Sequence, residues 1–363
     1  MIIKQIINAL DNYSYGMRPL LWLSLFAMCQ PKRFSFINYG ASGYGKSYCT
    51  IELAKKLNFY VPDAVDENDV GLSPVVVAPN DSTPIAFFQF LVNHSDKCII
   101  IDDSIKLSKK HINFLKEALG ETGMFEHTTT RDTYRQCFEF TGSMIINTNE
   151  HELDDAVMTR SYINKYYYDH ELFTLKKFKA REYIRNNQWD KDIDVWSYLQ
   201  DRIYKIIHNE IDLYELNDSE LDKVYKTIDS VEYCFDKTFS LRDDKKYIYI
   251  TRLFGTLLGS LDDNAIWNEI ENIIKHYINS GVVDKSKEVI KVFDNYCNKY
   301  ERKSMSITKL KELLEVKFVD HKIDNWIEEA ITLKILSKNI GNSRLIEKCN
   351  TVQNKFNIKK LSK

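Results

Sequence analysis

Gly40-Ala41-Ser42-Gly43-Tyr44-Gly45-Lys46-Ser47 is the stretch that decides how this chain folds. It satisfies the pattern G-x-x-x-x-G-K-[ST] in full, between a strand-like run (Phe34–Asn38) and a helix-like one (Ser47–Leu57). That strand–loop–helix setting is what a phosphate-binding loop requires. Its glycines let the backbone curl so that N–H groups point at phosphate oxygens, and the helix behind adds the positive end of its dipole. Lys46 then reaches the β- and γ-phosphates and the Ser47 hydroxyl ligates Mg²⁺. Gly40, Gly43, Tyr44, Gly45, Lys46, Ser47 and Tyr48 are therefore the expected nucleotide contacts, with ATP and Mg²⁺ as cofactors.

Outward from the loop, apolar strand-like runs alternate with helical patterns from about residue 34 to 170, the mark of a parallel sheet wrapped by helices. The expected strands are Phe34–Asn38, Pro74–Ala78, Cys98–Asp102, Ser143–Asn147 and Ile163–Tyr168; the helices between them are Ser47–Leu57, Thr83–Asn93 and Ser108–Leu119. The run Ile100-Ile101-Asp102-Asp103 ends a buried strand in paired acids. After a phosphate loop, the first acid suits Mg²⁺ and the second suits orienting the attacking water. Ser143 to Asn149 is another apolar strand, ending in amides, with Asn147 and Asn149 on one face by two-residue alternation. Either amide can contact the attacking water or the γ-phosphate, or simply form a turn at the strand end.

Eleven positions after Asn149 comes Arg160, in the helical segment Asp154-Asp155-Ala156-Val157-Met158-Thr159-Arg160. On charge alone it serves equally well in a surface ion pair. The stretch Thr148 to Arg160 resembles the AAA+ ATPases, in which a Thr-Asn strand end precedes an Asp-x-Ala-φ-φ-x-Arg helix. The resemblance implies a γ-phosphate sensor at Asn149 and an arginine at Arg160 that enters the neighbouring subunit's site, hence a ring or spiral, as a hexamer. It also implies a lid after the fifth strand, where Arg181 and Arg185 are available but no motif selects either.

Between the paired acids and the amide-ended strand, Met124–Thr128 and Tyr134–Phe138 read as two strands around a tip at Thr129–Thr133. A hairpin here resembles that of superfamily-three viral helicases and related primase-helicases, which grip DNA with it inside the ring. Arg131, Tyr134 and Arg135 combine phosphate-pairing charge with a stacking ring, as single-stranded nucleic acid requires, or else form a solvated loop.

From about 171 to 300 the pattern is almost purely helical. From 284 onward a helix at Glu288–Tyr300, helices at Ile307–Leu314 and Asp320–Leu333, and a hairpin (Ile335–Lys338, Arg344–Glu347) read as a winged helix-turn-helix. Residues 301–363 carry 14 basic and 8 acidic side chains, a net of +6 on a chain whose overall charge is −2. His321, Lys322, Asn325 and Arg344 are the duplex-DNA candidates, although Glu328 and Glu329 nearby also suit a protein-docking face.

Bulk composition narrows the classes further. With 363 residues the chain accommodates two or three domains, and 44% hydrophobic with 28% charged residues is ordinary for a globular protein. Seven scattered cysteines include no C-x-x-C pair, so buried thiols in a reducing compartment are expected. Leu20–Cys29 is the most apolar stretch, too short to cross a bilayer and expected as a core helix under the sheet.

The whole reads as a cytoplasmic α/β protein with no membrane partner: a P-loop core of AAA+ type (1–170), a helical lid (171–283) and a winged helix with a basic tail (284–363). The expected function is ATP hydrolysis coupled to DNA, single-stranded in the pore and duplex at the winged helix, as a replication initiator or helicase motor. The alternatives are an ATP-gated DNA-binding switch and a packaging or transposition ATPase.

Overall fold

The strand that precedes the phosphate loop, β1 (Ser35–Gly40), lies between two parallel partners, β6 (Ser143–Thr148) and β7 (Tyr162–Tyr166). With β3 (Cys98–Ile101) and β2 (Val75–Val77) they form a five-stranded parallel sheet in the order β2-β3-β6-β1-β7. The computed structural model describes all residues except 1, 33, 41, 42, 44, 61–72, 80, 81, 103–106, 129–134, 149–154, 167–169, 236–240, 282–284, 303, 318–326, 328–335, 340, 341 and 349–363. The five expected strands are all present, with Cys98 and Ser143 as expected starts and the other ends moved by one or two residues. Strand ends follow hydrogen bonding rather than the apolar run.

One face of the sheet presents Ile37, Ile99, Ile101, Met144 and Ile146 to α4 (Pro84–Asn93) and α5 (Lys109–Ala118), which contribute Phe87, Phe88, Leu91, Leu115 and Ala118. Thr83 opens α4: its hydroxyl accepts from Ala86 N–H at 3.2 Å, and Pro84 occupies the first turn, where no N–H is needed. The two-stranded antiparallel hairpin β4 (Met124–Thr128) and β5 (Arg135–Glu139) leaves this side, with Phe125 buried in the same core. The second face is covered by α2 (Arg18–Met28), in which every residue from Leu20 to Met28 is buried. It is the core helix expected there. Helix α1 (Ile2–Tyr13) buries Ile3, Ile6, Leu10 and Tyr13, a single stripe at helical spacing.

Chain contacts divide the molecule into two compact units, Met1–Tyr166 with Leu172–Ser280, and Tyr167–Glu171 with Gly281–Lys363. Helix α6 (Asp155–Arg160) precedes β7, and after β7 come α7 (His170–Arg185), α8 (Gln188–Lys191), α9 (Ile193–Ile207), α10 (Asp218–Phe235), α11 (Leu241–Leu258) and α12 (Asn264–Gly281). Within the first unit, buried Glu269 of α12 accepts from Arg18 Nη1 at 2.8 Å and Trp22 Nε1 at 3.0 Å, and Phe254 of α11 packs on Trp22. In the second unit, α13 (Lys285–Lys299), α14 (Ile307–Lys317) and a three-stranded antiparallel sheet, β8 (Ser304–Ser306)–β10 (Asn342–Lys348)–β9 (Leu336–Asn339), enclose Val289, Phe293, Leu310, Leu314 and Leu336. Strand β8 is an addition to the expected elements. No helix among the described residues is long and apolar enough to cross a membrane.

Candidate nucleotide-binding site

All the strands of a parallel sheet end on one side, and ligands bind beyond those carboxyl ends. Here β1 ends at Gly40, β3 runs into Asp102 and β6 runs to Thr148, so loop, acid and amide strand converge by topology alone. Gly43 and Gly45 have φ of +80° and +89°, values that strain any residue with a Cβ. A Cβ on either would meet no described atom within 4 Å, so the curled backbone faces open space. Lys46 is buried, its ammonium donating to the Gly40 carbonyl at 2.6 Å across the loop.

The Ser47 hydroxyl donates to both Asp102 oxygens, at 3.0 and 3.2 Å. Two hard oxygen ligands, one from the loop and one from the strand, match what Mg²⁺ takes from a protein when phosphates and water supply the rest. No group of three or more His, Cys, Asp or Glu that could hold a metal ion occurs among the described residues. Asn147 Nδ2 lies 3.2 Å from Asp102 Oδ1 and 3.0 Å from Thr50 Oγ1. Of the two amides left open by the sequence, Asn147 is beside the acid; Asn149 lies outside the described residues, as do Asp103 and Tyr44.

The helix behind the loop departs from the expected regular α-helix. Tyr48–Glu52 is a π-helical turn, followed by α3 (Leu53–Lys56). The widened turn is stitched by side chains: Leu53 N–H and the Tyr13 hydroxyl both donate to the Tyr48 carbonyl, and Thr50 Oγ1 donates to Lys46 C=O at 3.0 Å. The Tyr48 ring stacks on Tyr13 at 4.7 Å, within an aromatic cluster that continues to Trp189 and Trp196. Burial pushes the Tyr48 phenol above its ordinary range. The side chain of this expected nucleotide contact thus anchors the loop's helix to α1.

Arg160 is at the other end of the sheet. Ser35 Oγ is 3.4 Å from its carbonyl, while Phe36 pairs with Tyr162 and Gly40 with Tyr166. Five strand residues separate it from the loop of its own chain, about 16 Å. Its guanidinium donates to the Lys116 carbonyl at 2.6 Å and lines a cavity of about 840 Å³ with Lys32, Lys116, Lys245 and Lys246, against Glu117 and Glu121.

Of the nucleic-acid candidates, Arg135 is in β5 and Arg344 in β10, but their side chains are not described; Arg131, Tyr134, His321, Lys322 and Asn325 lie outside the described residues. The sequence reading passed over two residues, Asn38 and Asn164, both fully buried in strands. An asparagine inside β-branched and aromatic strands runs against strand propensity, and that was the available signal. No family model matches the chain, and no curated protein matches it.

Proposed function

We propose that this chain is an Mg²⁺-dependent ATPase of AAA+ type, working in an oligomer on DNA as a replication initiator or helicase motor. The observation that carries the reading is the meeting of Ser47, Asp102 and Asn147 within 3.2 Å at the mouth of a glycine-curled loop. The triphosphate would lie along Gly40–Tyr48, with Lys46 leaving the Gly40 carbonyl to neutralise the β- and γ-oxygens. Ser47 and Asp102 would hold Mg²⁺, which supplies charge neutralisation at those oxygens. Asp103 would orient water on the open side of the γ-phosphate, with an amide from the β6 end, Asn147 or Asn149, beside it.

The position of Arg160 favours action between subunits. It is out of reach of its own loop yet sits in a cavity with an excess of cations, a surface suited to receive a neighbour's polyphosphate. Helices α13 and α14 with the β8-β10-β9 sheet support the winged-helix reading of the second unit, and the basic excess of residues 301–363 supports duplex DNA as its ligand. The hairpin β4–β5, ahead of the amide-ended strand, supports a motor that engages a single strand.

The test is phosphate release from ATP with and without single-stranded and duplex DNA, alongside native mass in a non-hydrolysable analogue. Lys46→Ala should abolish turnover. Near-parental hydrolysis in that variant would refute the site, and a monomer under all conditions would refute the shared site.

A further inference from the structure

The polar residue Asp102 does not stand alone on its sheet row. Ile101 pairs with Ile146, so Asp102 is one step on, level with Asn147; Asn147 pairs with Asn38, and Asn38 with Asn164. Four adjacent strands therefore carry Asp102, Asn147, Asn38 and Asn164 side by side on one face. The next row on that face, two residues back, is Ile100, Ile145, Phe36 and Tyr162. The amides are 0–1% exposed and joined by short bonds: Asn164 Nδ2 to Asn38 Oδ1 at 2.8 Å, Asn38 Nδ2 to Asn147 Oδ1 at 2.8 Å, and Asn147 Nδ2 to Asp102 Oδ1 at 3.2 Å.

The ladder has one direction. An ionised carboxylate only accepts, so Asn147 must turn its NH₂ toward Asp102 and its carbonyl toward Asn38. Asn38 must then donate to Asn147 and accept from Asn164. Every donor points toward the acid, an arrangement in which successive bonds polarise one another. At the far end Asn164 Oδ1 has no hydrogen-bond partner among the described residues.

We infer that Asn38 and Asn164 are positioning residues: they fix the amide of Asn147, and through it the Asp102 oxygen that faces Ser47 and the metal. The inference rests on the phosphate-loop reading above. Among the described residues the side-chain hydrogen bonds of both run along the ladder, and each acts through the next, as outer-shell partners of metal ligands do.

The variants are Asn38→Leu and Asn164→Leu. The second removes the last member of the ladder and leaves only Asn38 Oδ1 without its donor, and so should fold even if the first does not. The readouts are Mn²⁺ affinity by EPR in the presence of a non-hydrolysable ATP analogue, Mg²⁺ half-saturation of hydrolysis, and analogue affinity in EDTA. Metal affinity should weaken about 10- to 100-fold in Asn38→Leu and about 3- to 10-fold in Asn164→Leu, with analogue affinity in EDTA within about twofold of the parent. Metal affinity within about twofold of the parent in a folded Asn164→Leu protein would overturn the inference. Analogue affinity in EDTA falling as much as metal affinity would also overturn it, because the defect would then be general. A parent protein that binds no Mg²⁺·nucleotide would instead overturn the phosphate-loop reading, and the ladder's role with it.

Discussion

Asn147 donates to the same Asp102 oxygen that accepts from Ser47, so one carboxylate atom joins the phosphate loop to the fourth expected strand of the sheet. Asp102→Asn preserves the shape of this junction and removes its charge. Mg²⁺-dependent hydrolysis should fall at least about 100-fold, while nucleotide binding in EDTA stays close to the parent. Steady-state phosphate release and a fluorescent-nucleotide titration separate the two effects.

Arg160 and Lys46 belong, on the present reading, to opposite halves of a shared site. Lys46→Ala and Arg160→Ala should each be inactive alone. Mixed in equal amounts, they should regain a fraction of parental ATPase activity, because some junctions then pair an intact loop with an intact arginine. Activity of the mixture no greater than that of the separate variants would remove the intersubunit role.

Strands β4 and β5 pair on either side of residues 129–134, which lie outside the described residues and include Arg131. Arg131→Ala combined with Arg135→Ala should leave basal ATPase intact and abolish stimulation by single-stranded DNA, read by phosphate release and a strand-separation assay. Full stimulation and unwinding in that variant would favour a nucleotide-gated switch over a motor.

Most of this site was readable because its chemistry is local. Gly40–Ser47 dictates its own backbone, and an apolar run ending in Asp102 is a buried strand reaching a crevice. The π-turn at Tyr48–Glu52 was not readable. It depends on the Tyr13 hydroxyl and on Thr50, whose bonds to main-chain carbonyls arise from packing rather than helix propensity. Asn38 and Asn164 were missed for a related reason. Each is a lone amide in its own strand, and only the register that aligns β7, β1, β6 and β3 turns them into a row. Residue spacing carries strand identity; it does not carry register between strands far apart in the chain.

Lys176 in α7 provides a pH test of stability. Burial holds its ammonium down from 10.5 to about 8, with the neighbouring Cys49 acting weakly the other way, and its Nζ contacts Met17 Sδ at 2.8 Å. Between about pH 8 and 10.5 the unfolded chain keeps this proton while the folded one has lost it, so stability from this group rises with pH across that window. Below pH 8 both states are charged and the folded state bears the full desolvation cost. Lys176→Met should therefore stabilise the protein by about 2 kcal/mol at pH 7, and the gain should close as pH approaches 10.5. Urea melts of both proteins at several pH values measure it.

Glu269 is 3% exposed and accepts from both Arg18 and Trp22. In Glu269→Gln the new amide cannot accept from both with the same geometry, and the Arg18 charge loses one of its two counter-ions. The expected loss is about 2 kcal/mol, below the usual range for a buried pair because Arg18 is 31% exposed and retains Asp11 at 3.0 Å. A shift in the urea midpoint at unchanged slope would report it.

The same contact has a consequence for biosynthesis. Every motif of the candidate nucleotide site is translated before residue 167, yet α2, the helix beneath the sheet, finds its carboxylate 251 positions after Arg18. A ribosome adding 5–20 residues per second needs roughly 12 to 50 s to cover that span. Throughout the interval α2, apolar from Leu20 to Met28 except for Ser24, holds Arg18 and Trp22 without this acceptor. A fragment ended before Asn264 would carry the whole candidate nucleotide site and still lack the carboxylate that meets Arg18 and Trp22.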